Sequence, residues 1–366
     1  MLRVGRVALV LAALASATLV ACKQEGTQPP PDGGDGEEAT LPTPGAVERA
    51  QTLLAAGRAE EALAVFDGAI NETPQDHELH YGRGVALQAL GRNDEAVTAW
   101  REALRLKPGF FPALNGIGAV LLDAGRFEEA VVALGEAIAA KPDFPDARYN
   151  LALAYEGLGK IPEAIAALGE ARRLAPQDYD VLVALATLHL KAGDAAAAHE
   201  AAAQASEVRK GEVEAIRLDA MALARLGRHA DAAAALELVV AKAPEDAESR
   251  LSLARELSRA GRPEAALPHL ARLAKERPNE ALVWSEWGAA EAKAGRLDGP
   301  DGALAKLRRA LELDPKLASA HVRLVAALAD ARRCKEANAA LKAFAATSPR
   351  AEAKSQAEAA AKACKP

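Results

Sequence analysis

The chemistry open to this sequence depends first on its histidines and their spacing. His77 and His80 lie three residues apart and would share one face of a helix, yet no third metal ligand follows them. The other five are scattered along the chain: His189, His199, His229, His269 and His321. No Ser-His-Asp or Cys-His grouping can be assembled from these positions. We therefore predict no metal site and no catalytic site, and expect a protein that is not an enzyme.

Two glycine-rich stretches suggest ligand loops but lack essential parts. The segment from Asn115 to Gly118, NGIG, begins like a dinucleotide-binding loop but has no third glycine, so helix packing explains it better. Residues 32–38, DGGDGEE, do not carry the full ligand pattern of a calcium loop and fit a solvated spacer. The sequence thus predicts no cofactor. With 45 basic and 51 acidic residues, it also does not predict nucleic-acid binding.

The first of the three cysteines, Cys22, follows an apolar leader. Arg3 and Arg6 precede fifteen uncharged residues at positions 7–21. This run is short for a bilayer span of about 20 residues, and it ends in small residues, as a cleaved export signal does. A buried helix is the alternative, but the flanking charges and the abrupt change of composition argue against it. Residues 23–42 are rich in proline, glycine and acids and predict a disordered tether.

The residues before Cys22, Leu19-Val20-Ala21, resemble the lipobox of bacterial lipoproteins. The resemblance implies that residues 1–21 are a signal peptide, that Cys22 carries the lipid, and that residues 22–42 link the anchor to the body. Several acyl chains would give stable attachment, so the lipid anchor would be the only contact with the membrane. Lys23 stands where many enteric lipoproteins retained at the inner membrane have Asp. We therefore expect an exported protein at the periplasmic face of the outer membrane.

The rest of the chain follows a period of 34 residues. Eight glycines are spaced by 34: Gly57, Gly91, Gly125, Gly159, Gly193, Gly227, Gly261 and Gly295. An alanine follows each of the first seven by five residues: Ala62, Ala96, Ala130, Ala164, Ala198, Ala232 and Ala266. After Gly295 the register slips by three residues, which indicates an insertion in the segment LDGPDG at 297–302. A fixed period of this length is typical of repeat architectures.

This pattern resembles the tetratricopeptide repeat, a helix-turn-helix unit of 34 residues. The best copy spans residues 77–110, where the matching residues are Gly84, Leu87, Ala96, Trp100, Ala103 and Pro108. The resemblance implies an all-α, right-handed solenoid of helical hairpins, with about nine repeats over 43–350 and a capping helix over 351–366. Its weakest repeat should be 179–212, because Ala195 and Ala202 replace the expected aromatic residues.

In this family the first helix of each pair lines a concave groove that binds a protein or peptide, so its non-core positions are candidate contacts. In the front half these are Tyr81, Asn115 and Tyr149. In the rear half they form a basic stripe of Lys191, Arg217, Arg225, Arg255, Arg259 and Lys293. The stripe could bind an acidic peptide or an anionic glycan, because arginine pairs well with carboxylates. Alternatively it is a solvated face, neutralised by acids such as Glu214 and Glu248.

Features near the end of the chain leave two further alternatives open. Cys334 and Cys364 each lie about 15 residues from a turn at Ser348-Pro349, so equal rise on two antiparallel helices would bring them level. They could form a disulfide in an exported protein, and two free thiols are the alternative. Trp284 and Trp287 lie three apart on one helix and could either pack in the core or form an exposed aromatic ridge.

These patterns together predict a non-catalytic envelope lipoprotein that acts as a scaffold for protein partners. The assembly it serves would be a secretion, pilus, motility or outer-membrane biogenesis machine. The alternative is an accessory protein for polysaccharide binding or export, which would use the basic groove for an anionic polymer.

Overall fold

A computed structural model describes residues 45–364 of the chain. The predicted signal peptide, Cys22 and most of the linker lie outside these residues. Within them the structure contains 19 α-helices and no strand. None of the helices is long and apolar enough to cross a bilayer. The chain divides into two compact units, and the boundary lies between Leu188 and His189. We call residues 45–188 the first unit and residues 189–364 the second unit.

The helices form nine consecutive pairs followed by a single terminal helix. In the first unit they are α1 (Ala46–Ala55), α2 (Ala59–Glu72), α3 (His77–Ala89), α4 (Asn93–Leu106), α5 (Phe111–Asp123), α6 (Phe127–Ala140), α7 (Pro145–Gly157) and α8 (Ile161–Leu174), and α9 (Tyr179–Ala192) begins there. The second unit contains α10 (Ala195–Val208), α11 (Val213–Arg225), α12 (His229–Lys242), α13 (Ala247–Arg259), α14 (Pro263–Glu276), α15 (Ala281–Lys293), α16 (Ala303–Leu313), α17 (Ala318–Asp330), α18 (Cys334–Ala346) and α19 (Ala351–Lys362).

The turn inside each pair explains the periodic glycines. Gly91 has φ +74°, and the amide of Arg92 reaches back to the carbonyl of Leu87 at 2.9 Å, which satisfies a carbonyl at the end of α3. All eight periodic glycines adopt a positive φ. In the ninth pair Arg332 takes this position with φ +60°. It lies 37 residues after Gly295, so the turn keeps its place once the three-residue insertion is counted.

Small residues let the helices of the first unit approach closely. The fully buried Trp100 of α4 presses against Gly84 of α3, where a Cβ atom would lie 2.3 Å from the indole Nε1. The same ring lies against Gly116 of α5, where a Cβ would lie 3.0 Å from it. A side chain at either glycine would therefore collide with the ring. Phe66, Leu79, Leu87 and Leu134 complete the largest fully buried side chains of this core.

The second unit has an aliphatic core with fewer large rings. Leu251, Leu253, Leu257, Leu270 and Leu273 are its main buried members in the seventh repeat. In α10, by contrast, every buried residue is an alanine: Ala195, Ala198, Ala201, Ala202 and Ala205. This agrees with the composition that marked residues 179–212 as the weakest repeat, while the stability of that repeat stays a prediction.

The terminal helix α19 packs against α17 and α18 and buries only Ala357 and Ala361. It brings Cys364 to disulfide distance from Cys334 at the start of α18, with the two Cα atoms 5.2 Å apart. The two cysteines thus come level, as equal helical rise from the turn requires, and this position fits the interpretation as a disulfide.

Candidate binding site

The three candidates in the first unit are buried, which corrects their assignment to a non-core lining. Tyr81 is 3% exposed, Asn115 1% and Tyr149 9%. The Tyr81 ring packs edge-on against Phe110, with ring centroids 5.4 Å apart, and burial raises the pKa of its hydroxyl. Asn115 accepts a hydrogen bond of 2.9 Å from the Nδ2 of Asn150 in the next repeat. Because the first helices of adjacent repeats meet closely here, these positions hold the repeats together.

The basic residues at the start of the second unit are engaged by neighbouring groups. Arg217 pairs with Glu214 at 3.0 Å and with Asp246 at 3.7 Å. Burial opposes the ionisation of Asp246, but hydrogen bonds from Ser249 and the nearby Arg217 hold the pKa of its carboxyl below the usual value. Arg225 donates to the carbonyl of Leu190. Glu214 therefore neutralises part of the stripe, as the alternative interpretation expected.

Glu248 does not act as that interpretation expected. It pairs with Arg277 at 3.0 Å, in the connection after α14, instead of with a residue of the stripe. Lys191 lies near the end of α9. Sequence reasoning therefore placed one of these two acids correctly and missed the acids that meet the rest of the stripe.

The last three residues of the stripe line one cavity of about 370 Å³. The first helices of three successive pairs, α13, α15 and α17, supply most of its walls. The lining residues are Arg255, Ser258, Arg259, Glu286, Ala289, Ala292, Lys293, Leu307, Arg323, Ala326, Ala327 and Asp330. Four of them are basic and two are acidic. The structure thus brings Arg255, Arg259 and Lys293 together and adds Arg323, which sequence reasoning did not select.

A buried carboxylate, Glu286, joins three repeats at this cavity. The Nε of Arg255 donates to one of its oxygens at 3.0 Å, and an Nη of Arg323 donates to the other at 2.9 Å. Arg323 also donates to the hydroxyl of the fully buried Ser285 at 2.8 Å. The three charged side chains come from α13, α15 and α17. This network fixes the two arginines, since charge-assisted hydrogen bonds are among the strongest in proteins.

The other two basic residues are held in different ways. Arg259 donates to the buried Glu256 at 2.9 Å, and the same carboxylate contacts His229 at 2.7 Å. Lys293 donates to the backbone carbonyl of Ser258 at 3.0 Å. Lys293 is therefore held by a carbonyl dipole instead of a carboxylate.

The two tryptophans of α15 stack on each other outside the cavity lining. Their ring centroids are 5.5 Å apart, and both rings are half-buried against the core. The Nζ of Lys306 lies 4.4 Å from the centroid of Trp287, whose Nε1 donates to Glu291 at 3.0 Å. Trp284 donates to the carbonyl of Pro278. Core packing thus accounts for most of this pair, and part of each ring remains exposed.

A sequence signal for the missed residues exists in the repeat register. Arg323 lies 37 residues after Glu286, which is one period plus the insertion, so the two hold the same position in adjacent repeats. Opposite charges at equivalent positions predict a pair between repeats. Arg255 stands one helical turn after the equivalent position in the preceding repeat, so it can reach the same carboxylate.

The arrangement is suited to binding rather than to catalysis. The cavity combines anchored cations with an aliphatic floor and contains no nucleophile paired with a base. No cluster of three or more His, Cys, Asp or Glu residues within 45–364 is placed to hold a metal ion.

Comparisons with protein families match most of the described chain to one kind of unit. Tetratricopeptide-repeat models match residues 47–110 and 183–247, 223–287, and 146–178, and a TPR-repeat model matches 118–159. No curated protein sequence matches the chain.

Solved structures show the same fold. PilF of Pseudomonas aeruginosa has a TM-score of 0.51 and 20% identity, and the match covers 57% of this chain and 94% of that one. PilW, described as a type IV pilus biogenesis factor, has a TM-score of 0.50 and 20% identity, with 57% and 96% covered. MamA of Desulfovibrio magneticus RS-1 is 30% identical, with a TM-score of 0.42 and 49% and 99% covered.

Proposed function

Because residues 47–110, 118–178 and 183–287 are tetratricopeptide repeats, we propose that the chain is a non-catalytic scaffold that binds a protein partner. The observation that supports this most is the cavity shared by α13, α15 and α17. Its walls come from three repeats, its volume is in the range of small ligand sites, and its polar groups are fixed by hydrogen bonds. Such a site can accept one or two side chains of an extended protein segment.

The proposed partner belongs to an envelope assembly. The leader and the Leu19-Val20-Ala21-Cys22 sequence support export and lipid attachment at Cys22, with Lys23 favouring the periplasmic face of the outer membrane. The fold that the chain shares with PilF and PilW is consistent with a pilus-type assembly. Secretion, motility and outer-membrane biogenesis machines are the other settings that this proposal includes.

Site-specific photo-crosslinking in intact cells tests the scaffold proposal. A photoreactive residue replacing Ala289, which lines the cavity, should capture a protein partner. The control places the same residue at Leu238, which is exposed on α12 of the same unit and does not line the cavity. Mass spectrometry of the products then identifies the partner. Equal capture of the same protein from both positions, or none from position 289, would contradict binding at this site.

Membrane fractionation tests the proposed anchor. Cys22→Ser should release the protein from the membrane fraction while the helical circular dichroism of the repeats is kept. Cys334→Ser is the matched control, because it removes a cysteine far from the leader and should leave fractionation unchanged. Retention of the Cys22→Ser protein in the membrane would rule out attachment through this residue.

A second candidate function rests on the excess of basic residues in the cavity, four against two acidic. Such an excess could hold an anionic polysaccharide, in which case the protein would assist its binding or export. Co-sedimentation with purified cell-wall polymers measures this directly. Sedimentation that is lost in Arg255→Gln and kept in Arg309→Gln would favour the polysaccharide, and no sedimentation would exclude it.

A further inference from the structure

The charges at the cavity are arranged in two layers. The two carboxylates that meet the arginines are buried, with Glu286 8% and Glu256 4% exposed. The guanidinium side chains keep more contact with solvent, with Arg255 29%, Arg323 27% and Arg259 47% exposed. Negative charge therefore lies behind the cavity wall and positive charge lies on it. A stripe neutralised by surface acids would show the opposite order.

The contacts also leave donors for a ligand. Arg255 meets Glu286 through Nε, so both of its Nη groups have no hydrogen bond within the described residues. Arg259 uses one Nη for Glu256, and the ammonium of Lys293 meets a carbonyl. Since an arginine carries five N–H donors and a lysine carries three, these residues can hold a further anion without breaking their own contacts.

We propose that this cavity is a carboxylate-binding subsite that reads an isolated Asp or Glu side chain of a bound peptide. Arg255, Arg259 and Lys293 contact the ligand carboxylate. Glu286 and Glu256 are positioning residues, which hold the arginines in place from behind. The inference rests on the proposed function, because it assigns a chemistry to the groove in which the partner would bind.

Two features of the lining favour a peptide over an anionic polysaccharide. The first is Asp330, an exposed acid on the lining that would repel a densely charged polymer. The second is the floor of Ala289, Ala292, Leu307 and Ala326, which suits the aliphatic stem of a side chain. The lining contains no aromatic ring on which a sugar could stack, and the two tryptophans of α15 do not belong to it. An acidic side chain with uncharged neighbours meets both conditions.

Fluorescence anisotropy on the purified full chain tests the subsite. The probe is a short fluorescein-labelled peptide with Glu at every third position and Ser or Ala between, and its counterpart has Gln in place of Glu. The Glu peptide should bind more tightly than the Gln peptide. Arg255→Gln and Lys293→Gln should each weaken the Glu peptide by about tenfold or more, because each removes a charge-assisted hydrogen bond.

Arg309→Gln is the matched control for net charge. Arg309 is an arginine of α16 that pairs with Glu312 at 2.9 Å and does not line the cavity. It should leave the affinity for the Glu peptide within about twofold of the unmodified chain. An equal loss in Arg309→Gln and Arg255→Gln would mean general attraction to a positive protein and would overturn the subsite.

Glu286→Gln separates positioning from neutralisation. If Glu286 only cancelled positive charge, its loss would tighten binding of the Glu peptide. Positioning predicts weaker binding by several-fold and a smaller preference for Glu over Gln, although the protein gains a positive charge. Glu286→Asp, which keeps the carboxylate, should recover part of the preference. Tighter binding by Glu286→Gln would overturn the positioning role, and if that variant does not fold, Lys293→Gln still tests the subsite.

The outcomes distinguish this inference from the proposed function. Capture of a partner at position 289 together with equal affinity for the Glu and Gln peptides would retain the scaffold and reject the carboxylate subsite. Binding of oligogalacturonate, a carboxylate polymer, more tightly than the Glu peptide would reject the peptide as occupant.

Discussion

The two units use the same helical hairpin but differ in what they place between the first helices of adjacent repeats. In the first unit these positions hold uncharged side chains such as Tyr81 and the hydrogen-bonded pair Asn115 and Asn150. In the second unit they hold ions, of which Arg255, Glu286 and Arg323 form one network. The period of 34 residues is common to both units, so the repeat does not decide this difference.

The difference teaches that a tetratricopeptide array can divide its labour along the chain. Uncharged, tightly packed positions stabilise the first unit and leave little chemistry at its surface. Buried acids in the second unit require partners, because an isolated buried charge is unfavourable, and their partners are the cations that line the cavity. The features that make the second unit a candidate binding site are therefore also part of how it is held together.

The largest effect that we expect tests the packing of the first unit. Trp100→Ala should lower its free energy of unfolding by about 3–5 kcal/mol, because the ring fills the space against Gly84 and Gly116. Urea denaturation followed by circular dichroism measures this. Val132→Ala is the control on an exposed residue of α6 and should change stability by less than about 0.5 kcal/mol. Similar values for the two variants would show that aromatic packing does not distinguish the first unit.

The next effect concerns a crosslink that residues 45–188 do not have, since they contain no cysteine. If Cys334 and Cys364 are bonded, the loop spans 30 residues in sequence. Replacing both by Ser should then lower the stability of the second unit by about 3–4 kcal/mol in the chain-entropy model. Reduction of the unmodified protein should have the same effect and should change the double variant little. Two reactive thiols in denatured, unreduced protein would show that the bond is absent.

A matched pair of substitutions compares the two kinds of contact between repeats. Glu286→Gln removes a charged partner from two arginines and should lower stability by about 1.5–3 kcal/mol. Asn150→Ala removes a neutral hydrogen bond to Asn115 and should cost about 0.5–1.5 kcal/mol for that bond. Urea denaturation at low and high salt adds a second criterion, because only the charged contact should weaken with salt. Equal salt dependence would remove the distinction between the units.

Sequence reasoning could predict the fold because the same physical need recurs in every repeat. A turn such as that at Gly91 requires a left-handed residue, and close approach of helices requires Gly or Ala, so both leave a regular mark. It could not predict that Tyr81, Asn115 and Tyr149 are buried, because exposure depends on how closely adjacent repeats meet. It selected Arg255, Arg259 and Lys293, but their partner Glu286 becomes evident only when positions are compared across the three-residue insertion.

A smaller effect is expected where the chain passes from one unit to the other. The second helix of the weakest repeat, α10, buries only alanines, whereas the corresponding helix α4 buries Trp100. Less apolar area is removed from water per residue in α10, so its amides should exchange with deuterium faster than those of α4. Hydrogen exchange with mass spectrometry measures both helices in one sample. Equal protection of the two helices would contradict a soft repeat at 179–212.

The smallest effect uses one histidine in each unit. Burial and then Lys107 lower the pKa of His77, and burial and then Arg250 lower that of His269, although Glu237 acts in the opposite direction. A histidine with a lowered pKa takes up protons more readily when unfolded. Its contribution to stability is therefore complete above a pH of about 6.5 and is lost as the pH falls through that value toward the lower folded pKa.

Each unit should therefore lose stability below a pH of about 6.5, and each histidine should account for part of that loss in its own unit. His269→Gln should reduce the proton uptake on unfolding of the second unit by less than one proton, and His77→Gln should do the same for the first. Urea denaturation over this pH range, with the two variants as controls for each other, measures both slopes. A change in the first unit caused by His269→Gln would contradict a local origin of the pH dependence.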